Sequence, residues 1–176
     1  GIVPLINSNA RCGQGNLLIA EADESDGTLI KFQAALGVIT NLELEHTDHY
    51  ANLTQLIDTL KTFGNNCKEL IGNYDCKIVS KNFKPEYWFS IKTTKNVDYS
   101  GIPISIESNQ TIINYFEKGE FIDKLIIPIP GFHNLSNVIA AIAACRVSGI
   151  EFNTIKKNII SIKTPKRRFE YKGKWK

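Results

Sequence analysis

The stretch that decides the fold is Leu17-Leu18-Ile19-Ala20-Glu21-Ala22-Asp23-Glu24-Ser25-Asp26, in which an apolar run leads directly into an acidic run. The acidic run places four carboxylates within six residues. Carboxylates this close repel one another unless a cation lies among them. Residues 16–21 are predicted to form a buried strand, and open α/β folds bind their ligands beyond the carboxyl ends of such strands. The pattern therefore predicts a divalent metal at the edge of a sheet.

Helix capping is a second interpretation of the acidic run. Asp23, Ser25 or Asp26 could cap the short helix that is predicted over residues 27–32. Capping is favoured for Asp26 and Ser25, whereas a metal role is favoured for Glu21.

Length and composition exclude several classes of protein. The 176 residues suit one domain, and an apolar fraction of 43% is enough for a core. A net charge of +3 gives no reason to expect a nucleic-acid partner. No apolar run approaches the ~20 residues that cross a membrane, and the chain has no secretory signal pattern. The four cysteines lack C-x-x-C spacing, which predicts reduced thiols in a cytoplasmic protein.

The first half of the chain predicts an α/β fold. Residues 36–40 form a second short buried strand, so that a mostly parallel sheet flanked by helices is expected. Apolar residues then recur at helical spacing over 53–63, with Asn52 as the N-cap. This helix is predicted to end at 64–67 or to continue to Leu70, and residues 77–80 are predicted to form another strand.

The second half predicts an antiparallel hairpin region followed by helices. Turn signals at Ser108-Asn109 and Lys118-Gly119 separate short apolar segments, a pattern typical of a meander. The predicted strands are 87–91, 102–107, 111–117 and 121–127. A helix over 138–147, opened by 133–137, is stopped by Gly149, and a helix over 153–161 and a strand over 167–171 follow.

Histidines supply further candidate metal ligands. His46 follows the second predicted strand, so that it would share an edge of the sheet with Glu21, and a carboxylate with an imidazole could bind Mg²⁺ or Mn²⁺. His46, Asp48 and His49 could instead bind zinc, but a third convincing ligand is missing and zinc is disfavoured.

Two further motifs suggest nucleotide recognition. Asn134 and Asn137 are three residues apart on one helical face, and amides can both donate and accept, as an adenine edge requires. Asn134 could be a simple N-cap, but the second asparagine and His133 after Pro-Gly favour a base-binding corner. Arg167-Arg168 offers planar forks for phosphate, within a basic stretch at 163–168 that is otherwise expected to be solvated.

Together these motifs closely resemble those of the Mur ligase family. The matching pieces are the run Glu21 to Asp26, Thr40-Asn41-Leu42-Glu43 leading to Glu45-His46, Gly131-x-His-Asn-x-x-Asn137, and Arg167-Arg168-Phe169-Glu170. Their order and spacing agree over nearly the whole chain. The family has three domains, and residues 1–176 resemble one partial central ATP-binding domain without its phosphate-loop segment and without both flanking domains.

The resemblance implies an ATP-dependent carboxylate–amine ligase that uses ATP and Mg²⁺. The chain is most similar to the branch that adds L-alanine to UDP-N-acetylmuramate through an acyl phosphate in peptidoglycan precursor synthesis, since the sister murein peptide branch usually carries a bulkier residue at Ser25. The fragment alone is expected to be inactive. The alternatives are another Mur-type ligase, such as murein peptide ligase or a folylpolyglutamate synthase-like enzyme, and a catalytically silent nucleotide-binding or structural domain.

The resemblance also implies roles for individual residues. Glu21 and His46 match the metal ligands, Arg168 matches an arginine that reaches the nucleotide, and these three are the expected catalytic residues. The other matches are the adenine-proximal His133, Asn134 and Asn137, and the site-lining Asn41. Two positions depart from the family: Glu45 stands where Asp is commoner, and Lys61 is out of register with the modified lysine of several relatives.

Overall fold

The computed structural model describes Val3 and residues 6–22, 27–43 and 50–162. Along the chain these residues form a 3₁₀ helix (Thr28–Lys31), β1 (Leu36–Ile39), α1 (Leu53–Asn65), β2 (Glu69–Asn73), α2 (Lys77–Asn82), β3 (Tyr87–Ser90), β4 (Tyr99–Ile106), β5 (Thr111–Glu117), β6 (Glu120–Ile127), α3 (Phe132–Val147) and α4 (Phe152–Ile159).

The described strands form one six-stranded sheet in chain order, from β1 at one edge to β6 at the other. Neighbours from β1 to β4 run parallel, and neighbours from β4 to β6 run antiparallel. Only two residue pairs join β3 to β4, so that β4 begins where β3 ends. The sheet therefore has a parallel half, β1–β3, and an antiparallel half, β4–β6. This arrangement confirms the predicted fold class.

The start of α1 follows from its capping residues. The side chain of Asn52 accepts the Gln55 N–H at 3.0 Å, and the Gln55 side chain accepts the Ala51 N–H at 2.9 Å. This reciprocal bonding satisfies two backbone donors at the helix start. Leu56 and Phe63, seven residues apart, are buried on the same face. The predicted helix and its N-cap are confirmed, and the helix ends at Asn65 without reaching Leu70.

The predicted strand at 77–80 was wrong, because this segment is the helix α2. The Ser80 N–H donates to the Cys76 carbonyl and the Phe83 N–H to the Val79 carbonyl, at helical spacing. Val79 and Phe83 are four residues apart and both buried, so the helical period buries two apolar side chains on one side. The strand between β1 and β3 is instead Glu69–Asn73, which the sequence pattern did not reveal.

The predicted strand at 16–21 is also absent: residues 17–22 have no regular secondary structure. Leu18 and Ile19 are 94% and 91% exposed. An apolar run forms a buried strand only when other elements cover both of its faces, and no described element covers this one. Within the described residues β1 pairs with β2 alone, so the predicted pairing of two strands at 16–21 and 36–40 is not formed.

Two clusters of buried side chains lie on opposite faces of the sheet. The larger joins β2–β6 to α3 and α4 and includes Phe89, Tyr115 and Leu135. The smaller joins β1 and β2 to α1 and α2 and includes Leu56 and Val79. The parallel half is thus covered on both faces, whereas the described helices cover the antiparallel half on one face only.

β3 was expected in an antiparallel meander, but it pairs in parallel with both neighbours. The three remaining strands do form the predicted meander, and the bounds of β5 are those predicted. No helix of the described ranges combines the length and apolar character needed to cross a bilayer.

Candidate functional site

The carboxyl ends of the parallel strands lie along one edge of the sheet and are followed by polar residues. β1 is followed by the exposed Asn41, β2 ends in Asn73, and β3 ends in Ser90. Parallel sheets bind ligands in the crevice outside this edge. We call these three strand ends the carboxyl edge.

A hydrogen-bond network joins the ends of β2 and β3. The Asp75 carboxylate accepts the Ser90 hydroxyl at 2.7 Å and the Ile91 N–H at 2.7 Å. The Ser90 oxygen in turn accepts the N–H groups of Lys92 and Thr93 at 2.9 and 3.0 Å. The backbone that follows β3 is therefore held around one buried hydroxyl, which gives the carboxyl edge a fixed shape.

Asn73 connects this network to α3. The side chain is 6% exposed. Its oxygen accepts the Asp75 N–H at 2.9 Å, and its nitrogen lies 3.4 Å from the Ser136 hydroxyl in α3. This contact brings the first two turns of α3 to the carboxyl edge.

The N-terminus of α3 is not capped by a described side chain. Gly131 precedes the helix with φ 95°, a conformation that favours glycine. The first N–H groups of a helix have no intrahelical acceptors, and together with the helix dipole they favour an anion. The exposed His133 and the exposed Phe132 lie in this first turn.

The asparagines predicted to bind a base lie at this helix end. Asn137 is exposed, and Asn134 is half-buried. The Asn134 nitrogen donates to the Pro130 carbonyl at 2.6 Å, so that its amide supports the loop before the helix. The structure therefore brings Asn41, His133, Asn134 and Asn137 to one edge, and it leaves Asn137 free to contact a ligand.

The candidate metal pair is described only in part. Glu21 is exposed and lies in a segment without regular structure, so the strand that was expected to carry it to the carboxyl edge is not formed. His46, His49, Arg168 and Asp23 to Asp26 lie outside the described residues, and the corresponding metal, zinc, capping and phosphate predictions remain untested. Among the residues that the structure does describe, no group of three His, Cys, Asp or Glu side chains could hold a metal ion.

Lys61 lies away from the carboxyl edge. It lines an open cavity with Lys84 and Glu86, near the start of β2. The Glu86 carboxylate accepts the Leu70 N–H at 2.7 Å there, at the amino ends of the strands.

The sequence also matches a known protein family. Residues 4–145 match the family model described as the Mur ligase middle domain. The chain belongs to the Mur ligase family.

Individual relatives agree with this assignment. The chain is 50% identical over 175 residues to UDP-N-acetylmuramate–L-alanine ligase of Prochlorococcus marinus strain MIT 9313, which covers 99% of this chain and 36% of that protein. It is 54% identical to the protein of the same name from strain NATL1A, over 99% of this chain and 35% of that protein. The chain therefore spans about a third of the length of these curated relatives.

Solved structures of the Mur ligase family share the fold. The crystal structure of UDP-N-acetylmuramate–alanine ligase MurC from Thermotoga maritima superposes with a TM-score of 0.73 at 22% identity, over 84% of this chain and 33% of that chain. The MurF ligase from Thermotoga maritima in complex with ADP gives a TM-score of 0.58 at 14% identity, over 76% and 31%. At these identities the likeness concerns the fold alone.

Sequence reasoning missed several polar residues at the carboxyl edge of this Mur ligase domain. These are Asn73, Asp75, Ser90 and Ser136, which join β2, β3 and α3. One signal could have revealed the first two: the apolar residues Leu70 and Ile71 lead into Gly-Asn-Tyr-Asp, a strand followed by turn-forming residues. The pairing with Ser136, 63 residues away, depends on tertiary structure.

Proposed function

We propose that the protein containing this chain is an ATP-dependent ligase that joins L-alanine to UDP-N-acetylmuramate. The observation that carries the proposal is the uncapped first turn of α3 lying beside the polar strand ends of the carboxyl edge. Membership of the Mur ligase family and the names of relatives about half identical to this chain support the same reaction.

We assign nucleotide binding to the carboxyl edge. Asn137 presents an exposed amide that can donate to and accept from the adenine edge. The N–H groups in the first turn of α3 favour a negatively charged group nearby. Arg168 would add a planar fork for a phosphate.

We assign Mg²⁺ to Glu21 and His46. Glu21 fits this ion because its carboxylate is a hard oxygen donor and is exposed to solvent. Bound Mg²⁺ would offset negative charge on the phosphoryl oxygens. The chain's own contribution there would be the exposed Glu21 carboxylate as a ligand, and its other residues would position the nucleotide.

The reaction proposed has two steps. The muramyl carboxylate attacks the γ-phosphate of ATP, which forms an acyl phosphate and releases ADP. The amine of L-alanine then attacks the acyl carbon, the amide bond forms, and inorganic phosphate leaves. Because the carboxylate must meet the γ-phosphate in line, fixing the adenine at the carboxyl edge contributes to the rate by orientation.

The test is a phosphate-release assay on the protein that contains this chain. Phosphate release should require ATP, UDP-N-acetylmuramate and L-alanine together. Asn137→Ala should raise the KM for ATP about tenfold or more, because an amide hydrogen-bonded to a base contributes on the order of 1–3 kcal/mol. Glu21→Ala should remove most activity and weaken Mn²⁺ binding measured without substrates, whereas Glu120→Ala, an exposed carboxylate in β6, should change neither.

Other outcomes separate the alternatives. ATP binding without L-alanine-dependent phosphate release would favour a silent nucleotide-binding domain. Release that requires a peptide in place of L-alanine would favour the murein peptide branch, and release that requires a folate and glutamate would favour a folylpolyglutamate synthase-like enzyme. Unchanged KM for ATP in Asn137→Ala would contradict the nucleotide site proposed here.

A further inference from the structure

Asn73 is a buried amide whose orientation is fixed by its neighbours. A backbone N–H can only donate, so the Asp75 N–H must face the Asn73 oxygen, at 2.9 Å. The Asn73 nitrogen is then left facing Ser136 in α3, at 3.4 Å. Buried polar groups require partners, and Ser136 is the partner that comes from another element.

Asp75 fixes the same segment from the other side. Its carboxylate accepts the Ser90 hydroxyl and the Ile91 N–H, both at 2.7 Å. The Asp75 backbone therefore cannot turn without breaking contacts to β3. The Asn73 side chain is therefore held by contacts that reach β3 as well as by its own strand, β2. Through Asn73, the position of Ser136 is fixed relative to both strands.

Ser136 lies next to the residues proposed to bind the nucleotide. It precedes Asn137 by one position and follows His133 by three, a spacing that puts His133 and Ser136 on neighbouring turns of one face. α3 has no described side-chain cap at this end, so the contact with Asn73 restrains the very turns that carry the exposed side chains.

The opposite end of α3 is held by a different contact. Arg146 donates to both oxygens of Glu117 in β5, at 2.7 and 3.2 Å. Arg146 also donates to the Ile150 carbonyl at 3.0 Å. This end lies about ten residues, or about 15 Å of helix, beyond Ser136. The two contacts thus allow a stability role and a positioning role to be tested separately.

We infer that Asn73 is a positioning residue for the nucleotide, which acts through Ser136 by fixing the first turns of α3 against the carboxyl edge. The inference rests on the proposed function. It adds a residue that does not touch the nucleotide, and it predicts an effect on ATP affinity that exceeds any effect on the chemical step.

The test uses Ser136→Ala, Asn73→Ala and the double variant in the protein that contains this chain. Ser136→Ala removes only the hydroxyl and introduces the best helix former, so α3 is retained. Each single variant should raise the KM for ATP about three- to tenfold, with kcat within about twofold of the parent. The double variant should be no worse than the poorer single variant, because both changes remove one contact.

Arg146→Ala is the matched control, since it releases the other end of the same helix. It should lower the melting temperature at least as much as Ser136→Ala and leave the KM for ATP unchanged. If Ser136→Ala lowers the melting temperature without changing the KM for ATP, the contact serves stability alone and the inference is overturned. An equal rise in KM for Arg146→Ala, or a double variant equal to the product of the single effects, would also overturn it.

Asn137→Ala separates this inference from the proposed function. A raised KM for ATP in Asn137→Ala with a normal KM in Ser136→Ala would remove the positioning role and leave the nucleotide site standing. A normal KM in Asn137→Ala would remove the nucleotide site itself.

Discussion

The two halves of the sheet differ in how helices cover them and in the residues that they place at their ends and faces. Helices cover the parallel half on both faces, and its strands end in Asn73 and Ser90, whose side chains tie separate elements together. The described helices cover the antiparallel half on one face, and its outer face exposes Ile104, Phe121 and Ile126 by 52–58%. The parallel half forms the carboxyl edge. The antiparallel half forms the surface on which α3 and α4 pack.

α3 shows how the halves depend on each other. Ser136, near its start, contacts the parallel half, and Arg146, near its end, is bonded to Glu117 in the antiparallel half. Between them Ile139 lies over Gly101 of β4. The antiparallel half therefore anchors a helix whose opposite end forms part of the candidate site.

The largest expected effect tests the one-sided cover of the antiparallel half. Ile127 is fully buried and its neighbour Ile126 is 52% exposed, so two identical side chains in β6 face opposite sides. Ile127→Ala should cost about 2–5 kcal/mol of unfolding free energy, because it leaves a cavity, and Ile126→Ala should cost less than about 1 kcal/mol. Urea denaturation of the protein that contains this chain measures both, and equal losses would mean that another element covers the outer face.

The next effect tests the contact between α3 and β4. A Cβ at Gly101 would lie 2.3 Å from Cδ1 and 2.7 Å from Cγ1 of Ile139. Gly101→Ala should therefore cost about 1–3 kcal/mol, because the interior is close-packed. Ile139→Val removes the nearest atom, so the double variant should lose less than the sum of the single losses. Strict additivity in denaturation would show that the helix does not rest on this glycine.

A smaller effect concerns the pH dependence of the antiparallel half. Burial, and then the charge of Glu117, raises the pKa of the Tyr115 hydroxyl well above its ordinary value of 10.0. The unfolded chain releases this proton near pH 10 while the folded chain keeps it, so stability should fall as pH rises above about 10.

Tyr115→Phe removes both this titration and the hydrogen bond to Glu117, which is 3.0 Å long. It should cost about 1–2 kcal/mol at neutral pH and flatten the alkaline loss. Denaturation at pH 7 and pH 11 provides the comparison. A variant whose alkaline loss matches that of the parent would show that Tyr115 is not the group responsible.

The smallest effect concerns the exposed ion pair of Lys156 in α4 with Asp123 in β6. The hydrogen bond from Lys156, and then that from the Lys124 N–H, lowers the pKa of the Asp123 carboxyl. Stability from this pair is present above pH ~4 and is lost as pH falls through the lowered pKa. Lys156→Ala should cost less than about 1 kcal/mol at pH 7 and almost nothing at pH 2. A loss that persists at pH 2 would assign the effect to packing.

Local signals in the sequence were enough for elements that fold by their own pattern. The Asn52 cap and the helical spacing up to Phe63 predicted α1, and turn residues on both sides predicted β5. β2 was not predicted, because Leu70 and Ile71 make a short apolar run that joins the preceding helical pattern and is followed by Gly72. Tertiary packing decided the outcome there.

The placement of the candidate residues was predictable where they share one helix. His133, Asn134 and Asn137 lie at the start of α3, as their spacing indicated. Asn73 was not predictable, because its partner Ser136 is brought close by the crossing of α3 over the sheet. The exposed segment around Glu21 shows the converse: an apolar run predicted a strand, but within the described residues nothing packs against it.

Hydrogen exchange on the protein that contains this chain, with and without ATP and Mg²⁺, tests most directly whether the nucleotide binds at the carboxyl edge. Nucleotide should slow exchange of the N–H groups in the first turn of α3, because these donors have no intrahelical acceptors and would gain acceptors from the nucleotide. The strands β5 and β6 should exchange at the same rate in both states. Slower exchange in β5 and β6 with no change at the start of α3 would contradict nucleotide binding at the carboxyl edge.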